Sequence, residues 1–282
     1  MTDVPSDLAK RQFVTMLGKV RDQEIVVPRL LAFFSGTPVL PVVSIPIRNF
    51  EVRHPDGWFH PSTHPLMTER QLYHYLVHPQ EWLPDPFSVT SILAVTQGVF
   101  WHYFVQSILE KIGLLRVINP DGEHSWDRVE CPVEDPVLRS KGSLDGIINS
   151  DNVPVLQEDE GFEFKTMSTF SMKQCPRGAP DDRARLEWWK ADHPEYYAQN
   201  QEYMRMRGLN HMRVVVLGLQ SPFPFIELKV PYSPSAAWVV SDKYARVIQA
   251  VADRSYPAQC CVVGSTQAKL CSARGICPIG RS

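Results

Sequence analysis

A chain of 282 residues with 44% hydrophobic and 21% charged side chains has the make-up of an ordinary folded protein, which excludes disorder along its whole length. That length suits one large domain, or a catalytic domain with an appendage. The formal net charge of -2 excludes a global basic field, so any contact with nucleic acid has to come from a local groove.

In chain order, the amino terminus lacks the basic-then-apolar layout of a secretory signal. Residues 5–23 have the pattern of a polar amphipathic helix, and Pro38 to Arg53 holds β-favouring runs broken by prolines. Thr68 stands three residues before Gln71, a capping box that opens a short helix through Val77. A long, mostly apolar helix is predicted from Val89 to Leu115, substantially buried and studded with Gln97, His102 and Gln106. No run of 18 uninterrupted apolar residues occurs, so no membrane span and a cytoplasmic setting are expected. Strand signals follow at Val137 to Asn149 and Gly161 to Met167, joined by a polar, hairpin-like segment with room for extra strand. Residues 168–194 read as polar and irregular. Pro194 opens a helix to Arg207 with Gly208 as its stop. Met212 to Leu219 and Phe225 to Val230 read as strands, and a last helix spans Ser235 to Arg254. This order of helices and strands argues for an α/β layered domain. Residues 1–60 form an amino-terminal extension without an assigned role, 61–256 the catalytic domain, and 257–282 a cysteine-rich tail.

The chemistry centres on Glu163-Phe164-Lys165. Strand alternation sends Glu163 and Lys165 to one face, and Phe162 and Phe164 to the core side. A carboxylate and an ammonium on a largely apolar strand are expensive to bury without a task. The preceding strand offers Asp145, flanked by Leu144 and the pair Ile147-Ile148. If the strands pair, Asp145 and Glu163 converge on one divalent ion, Mg²⁺ or Mn²⁺, with Lys165 alongside. The plainer reading of these side chains is a surface salt bridge. Gln199 and Tyr203 share a face of the Pro194 helix, and Gly98 and His102 a face of the long helix. A neutral His102 would add a nitrogen ligand and favour Mn²⁺.

The ordered series Gly98-x-x-x-His102, Gly142-Ser-Leu-Asp145-Gly, Glu163-Phe-Lys165 and Gln199-x-x-x-Tyr203 resembles the RecB-like branch of the PD-(D/E)xK nucleases. That branch includes CRISPR-associated RecB-like exonucleases and viral YqaJ relatives, and the likeness covers about residues 90 to 232. The resemblance implies a restriction-endonuclease-like core with a central mixed β-sheet flanked by helices. It implies metal binding by His102, Asp145 and Glu163, catalysis by Lys165, and a site lined by Gln199 and Tyr203. Leu144 stands where the motif has its proline. The activity implied is a DNA exonuclease serving recombination, replication or repair, encoded by a phage and working with recombination or replication proteins in the host cytoplasm.

Four of the six cysteines lie beyond Pro257. Cys260, Cys261, Cys271 and Cys277 are spaced Cys-Cys-x9-Cys-x5-Cys, a density that suggests a 4Fe-4S cluster or Zn²⁺, with a metal-free thiol tail as the plainer reading. The CRISPR-associated branch resembles this tail but has a fourth cysteine ahead of its histidine helix, and here the first cysteine is Cys131. Either both adjacent cysteines ligate, or Cys131 or Cys175 substitutes, or the site holds zinc. For DNA contact, Arg139, Lys141, Lys173, Arg177, Arg183, Arg185, Arg205, Arg207 and Arg213 read equally as a groove, with Trp188, Trp189, Tyr196 and Tyr197 as stacking surfaces, or as a solvated charged face with those aromatics in the core. Two rival readings are an inactive DNA-binding or assembly protein with a zinc tail, and a metallohydrolase built on His60 and His64.

Overall fold

A computed structural model describes residues 24–36, 55–82, 88–172, 175, 182–220, 224–262, 265–269 and 271–277. The helix expected at 5–23, the β runs from Pro38 to Arg53, and Lys173 and Arg177 lie outside the described residues. In chain order the elements are α1 (Val26–Gly36), α2 (Glu69–Val77), α3 (Val89–Lys111), α4 (Ser125–Val129), β1 (Cys131–Asp135), β2 (Ser140–Leu144), β3 (Gly146–Ile148), β4 (Glu160–Met167), α5 (Thr169–Met172), α6 (Asp182–Asp192), α7 (Pro194–Arg207), β5 (His211–Gly218), β6 (Phe225–Pro231), α8 (Pro234–Ala252) and α9 (Thr266–Lys269).

The architecture is mixed α/β. A central sheet runs in the order β3-β4-β5-β6, and β1 pairs with β2 in a separate two-stranded sheet. Within the central sheet β4 and β5 are parallel, while β3 and β6 pair antiparallel at the edges. The run Val214-Val215-Val216-Leu217 explains why β5 is interior: it is apolar on both faces and buried on both. One face, with Phe162, Phe164, Val215 and Leu217, packs on α1 and on Phe104, Val105, Ile108 and Leu109 of α3. The other, with Val214, Val216, Ile226 and Leu228, packs on Trp188 and Trp189 of α6 and Tyr203 and Met204 of α7. Further out, α2 and α8 pack together through Leu72, Tyr73, Val240, Tyr244 and Val247, with Phe59 against them. Phe59 also pairs with Ser140, which joins the segment before α2 to the β1–β2 sheet.

Several elements differ from the sequence expectation. α3 ends at Lys111, and only its second half is in the core; Val89 and Leu93 in the first half are exposed. By length and composition this helix is apolar enough to cross a membrane, which is why its pattern reads as buried throughout. β1 was masked by the proline and two acids in Cys-Pro-Val-Glu-Asp, although Cys131 and Val133 alternate inward. The connection between β3 and β4 holds a 3-10 turn at Ser150–Asn152 and no strand. The stretch read as irregular contains α5 and α6. Arg185, Trp188 and Trp189 sit at helical spacing on the buried side of α6, a pattern hidden by its many charges.

The docking of α1 depends on one side chain from the far end of the chain. Glu227 of β6 is buried, and its carboxylate accepts the amides of Ile25 at 2.8 Å and of Val26 and Val27 at 2.9 Å. A carboxylate at a helix start satisfies amides that have no partner within the helix and meets the positive end of its dipole. Arg213 approaches the same carboxylate at 3.1 Å. Glu227→Ala is expected to strip these donors of their acceptor and to cost about 3–5 kcal/mol in urea unfolding. Glu227→Gln, which still accepts, should lose clearly less.

Candidate active site at the edge of the central sheet

The chain changes sheets at Asp145, between the last residue of β2 and the first of β3. Pairing of β3 with β4 starts at Gly146 opposite Phe162, so the Phe164 amide lies beyond the ladder. Asp145 fills that gap with its side chain: the Phe164 amide donates to Oδ2 at 2.7 Å. The Asp145 carbonyl in turn accepts from Gln106 Nε2 of α3 at 2.7 Å. Gln106 lies four residues after His102, one turn along the same helix face. It went unrecognised as a site residue because nothing in sequence shows that its amide meets a strand backbone.

Glu163 and Lys165 project from β4 toward α7, on the opposite face from Phe162 and Phe164. Lys165 Nζ is 2.6 Å from Glu163 Oε1, and Gln199 Nε2 donates to the same oxygen at 3.1 Å. The second oxygen, Oε2, is buried and has no hydrogen-bond partner. Tyr203 adds a hydrogen bond to Gln199, and the ring of Tyr196 lies 4.9 Å from the Lys165 ammonium, a cation–π contact. His102 Nε2 of α3 is 3.3 Å from Asp145 Oδ1. The structure therefore brings His102, Asp145, Glu163, Lys165, Gln199 and Tyr203 into one cluster. Glu130, just before β1, adds its charge near Asp145, a neighbour that sequence spacing does not reveal.

Two glycines make this convergence sterically possible. A β-carbon on Gly98 would come within 2.9 Å of Thr166 Oγ1, so the bare backbone lets α3 close on β4 and deliver His102. A β-carbon on Gly142 would fall 2.8 Å from the Tyr203 ring, so β2 passes under α7 only as glycine.

Burial dominates the electrostatics. It pushes Asp145 up to about 7, against the pull of Lys165 and the Phe164 amide. It also pushes Glu163 up to about 7, helped by the Asp145 charge. For Lys165 burial works downward, but the charges of Glu163 and Asp145 outweigh it and hold the ammonium above its ordinary value. Burial and the charge of Glu163 raise Tyr203 as well, so it stays a hydroxyl. Two acids poised near neutrality thus sit beside a firmly charged lysine, with His102 adding to the pull on Glu163.

The donors suit a hard or borderline divalent cation: carboxylate oxygens from Asp145 and Glu163 and an imidazole nitrogen from His102. The buried, unpartnered Glu163 Oε2 is the atom such an ion would satisfy. Among the described residues, no group of three or more His, Cys, Asp or Glu side chains is arranged to hold a metal ion as it stands. Asp145 Oδ2 is engaged by the Phe164 amide and Glu163 Oε1 by Lys165, so binding would have to rearrange these contacts.

Other sequence candidates fall elsewhere. Arg185 is buried, bonded to Glu24 and to the Glu227 carbonyl, both at 2.8 Å. Arg213 is buried against Glu160 at 2.5 Å, and Arg205 pairs with Asp135 at 2.7 Å and Glu202 at 3.1 Å. Trp188 and Trp189 belong to the core, Trp189 donating to Asn200 at 3.0 Å. These five residues serve the fold and do not line a groove. Lys141 lies 2.9 Å from Asp56, and Arg139, Arg183 and Arg207 are exposed. His64 accepts the His60 amide at 2.6 Å and packs on Tyr75, while His60 Nε2 is 3.1 Å from Asp56. Cys131 and Cys175 are buried in the sheet core. Cys260, Cys261, Cys271 and Cys277 line one pocket where the tail meets α2.

No family model and no curated protein matches the chain. Among solved structures it is similar to the crystal structure of SSO0001, at 16% identity and a TM-score of 0.44 over 81% of this chain and 88% of that one. A likeness of that degree carries no inference about activity.

The raised acids bear on stability with a definite sign. In unfolded chains Asp and Glu titrate near about 4, so between about pH 4 and 7 the folded chain holds protons the unfolded chain has lost. Stability from these groups is full below that window and falls as pH rises through it. In chelator, Asp145→Asn is therefore expected to be more stable than the parent at about pH 8, by on the order of 2–3 kcal/mol, and to show no advantage at about pH 4. Thermal denaturation at the two pH values checks this.

Proposed function

We propose that the chain is a metal-dependent deoxyribonuclease of the PD-(D/E)xK kind, its central mixed sheet and flanking helices forming a restriction-endonuclease-like core. The observation that carries this reading is the cluster itself. Two buried carboxylates, one with an unpartnered oxygen, share a sheet edge with a charged lysine and an imidazole. The resemblance of the same residues to RecB-like nucleases supports it and adds exonuclease action in recombination, replication or repair.

Asp145, Glu163 and His102 would hold the ion, Mg²⁺ or Mn²⁺. Such an ion polarises a phosphate oxygen and lowers the pKa of water. Lys165, kept protonated by the carboxylates, is a donor to the attacking water or to charge building on the phosphate. Gln199 fixes the Glu163 carboxylate through Oε1 and leaves Oε2 for the ligand side. Tyr203 holds Gln199 in turn, with its hydroxyl protonated throughout. The Gln106 bond to the Asp145 carbonyl keeps that carboxylate at the end of β3 instead of letting the strand slip.

Purified protein is expected to degrade linear DNA in Mg²⁺ or Mn²⁺ and to stop in chelator. Asp145→Ala, Glu163→Ala and Lys165→Ala should each lower cleavage by about a thousandfold, and Gln199→Ala by roughly tenfold to a hundredfold. His102→Ala should hurt cleavage more in Mn²⁺ than in Mg²⁺, because only the softer ion gains much from a nitrogen donor. With both acids near 7 in the metal-free site, protons compete with the ion, so the concentration of Mg²⁺ or Mn²⁺ needed for cleavage should fall from about pH 6 to about pH 8. No cleavage in either metal, or undiminished cleavage in Asp145→Ala, would remove the proposal in favour of a DNA-binding protein with a silent site.

A further inference from the structure

The carboxy-terminal tail folds back on α2, and Cys260, Cys261, Cys271 and Cys277 meet Gln71 and His74 around one small pocket. All four thiols are free, so disulfide bonding does not account for their gathering. His74 is fully buried, yet neither of its ring nitrogens has a hydrogen-bond partner. Its flanks are aromatic, with the rings of Tyr73, His78 and Tyr256 within 6.0 Å. A buried imidazole with both nitrogens unpaired is a costly arrangement that packing alone does not repay. It becomes intelligible once one nitrogen serves as a ligand.

We infer that His74 is a metal ligand, and that the pocket is a structural Cys3His zinc site formed by His74, Cys261, Cys271 and Cys277. The Cys260 and Cys261 thiols meet, but structural zinc ligands in one segment are normally spaced by two to four residues, and these two are adjacent. One tetrahedral ion therefore takes one of Cys260 and Cys261. Cys261 is the better placed: it packs in the cluster of Tyr75, Trp82, Ile276 and Cys277, and it interacts with both Cys271 and Cys277. Cys271 already shows the outer bonds of a bound thiolate, its sulfur accepting from the Ala273 amide at 3.4 Å and from Gln71 Nε2 at 3.5 Å. Three thiolates around a divalent ion leave one negative charge, and Arg70 and Arg274 line the same pocket. Among the described residues these ligands do not yet stand in a coordinating arrangement, so zinc would draw the tail in toward α2. Nothing in this site is shared with the Asp145 cluster, and the inference stands apart from the nuclease reading.

The test uses the full chain, with zinc and iron measured by mass spectrometry and the visible spectrum recorded. About one tightly held zinc per chain, no iron and no colour are expected. His74→Ala and Cys277→Ser should lower zinc at least tenfold. Cys260→Ser should retain it, and so should Asp145→Asn, which separates this ion from one in the nuclease cluster. His74→Cys should keep zinc and remain folded even where His74→Ala does not. With cobalt(II) in place of zinc, His74→Cys should alter the tetrahedral absorption bands as a nitrogen is exchanged for a sulfur. A brown, iron-bearing protein, a chain without bound zinc, zinc retained in His74→Ala, or unaltered cobalt bands in His74→Cys would each overturn the assignment.

Discussion

Taking two carboxylates out of water at the end of a strand is the constraint around which the site is built. Asp145 and Glu163 are both nearly inaccessible, and burial outweighs every nearby attraction in setting their protonation. Lys165 offsets one of them. The bond to the Phe164 amide, the Gln199 amide and the proximity of His102 hold the geometry. A fold that keeps an acidic pair in this state either retains a proton or takes up a cation. That choice is what gives the cluster chemical potential beyond packing.

A second buried ionic group, on the opposite face of the same sheet, shows what a structural solution looks like. There Glu160, Glu227 and Glu24 meet Arg213, Lys229 and Arg185 at separations between 2.5 and 3.1 Å. Charges are matched, each carboxylate finds a cation, and Glu227 also anchors the start of α1. The pairs hold β4, β5, β6 and the first helix together across long stretches of sequence. Breaking one would strand a buried charge, so these groups act as fasteners. The Asp145 cluster uses neighbouring residues of the same strand yet leaves a buried carboxylate oxygen of Glu163 bare. The difference separates a scaffold network from a candidate site more sharply than burial does.

Much of the core of this arrangement was legible in the sequence, because strand alternation alone puts Glu163 and Lys165 opposite Phe162 and Phe164, and the capping box at Thr68 and the Gly208 stop fix helix ends locally. What was not legible depends on partners far away in the chain. Arg185 looks like a phosphate contact until Glu24, 161 residues earlier, is seen beside it. Trp188 and Trp189 look like stacking platforms until α6 is recognised as a helix with a buried stripe. The exposed first half of α3 escaped because an apolar pattern reports composition and says nothing of which turns a neighbour covers. His74 was invisible for a related reason: a lone histidine in a short helix carries no signal until its nitrogens are found buried and unpaired.

The tail pocket and the sheet-edge cluster share no residue, but a continuous set of contacts lies between them. His74 is on α2, whose start is tied to α8 by Lys243 on the Met67 carbonyl at 2.9 Å and by Arg246 on Glu69 at 2.8 Å. α8 in turn holds α7: Ser241 donates to Glu202 at 3.1 Å, and the Ser233 amide to Gln201 at 2.7 Å. α7 carries Gln199 and Tyr203, which set the Glu163 carboxylate. Tension at the tail is thus borne first by helix packing, and reaches the acids only through the orientation of α7. Closely packed helices carry strain, but coupling between sites needs an element with two arrangements, and these contacts show one. A metal at the tail would accordingly brace α2 against the tail, and would contribute no group to the chemistry of the sheet-edge cluster.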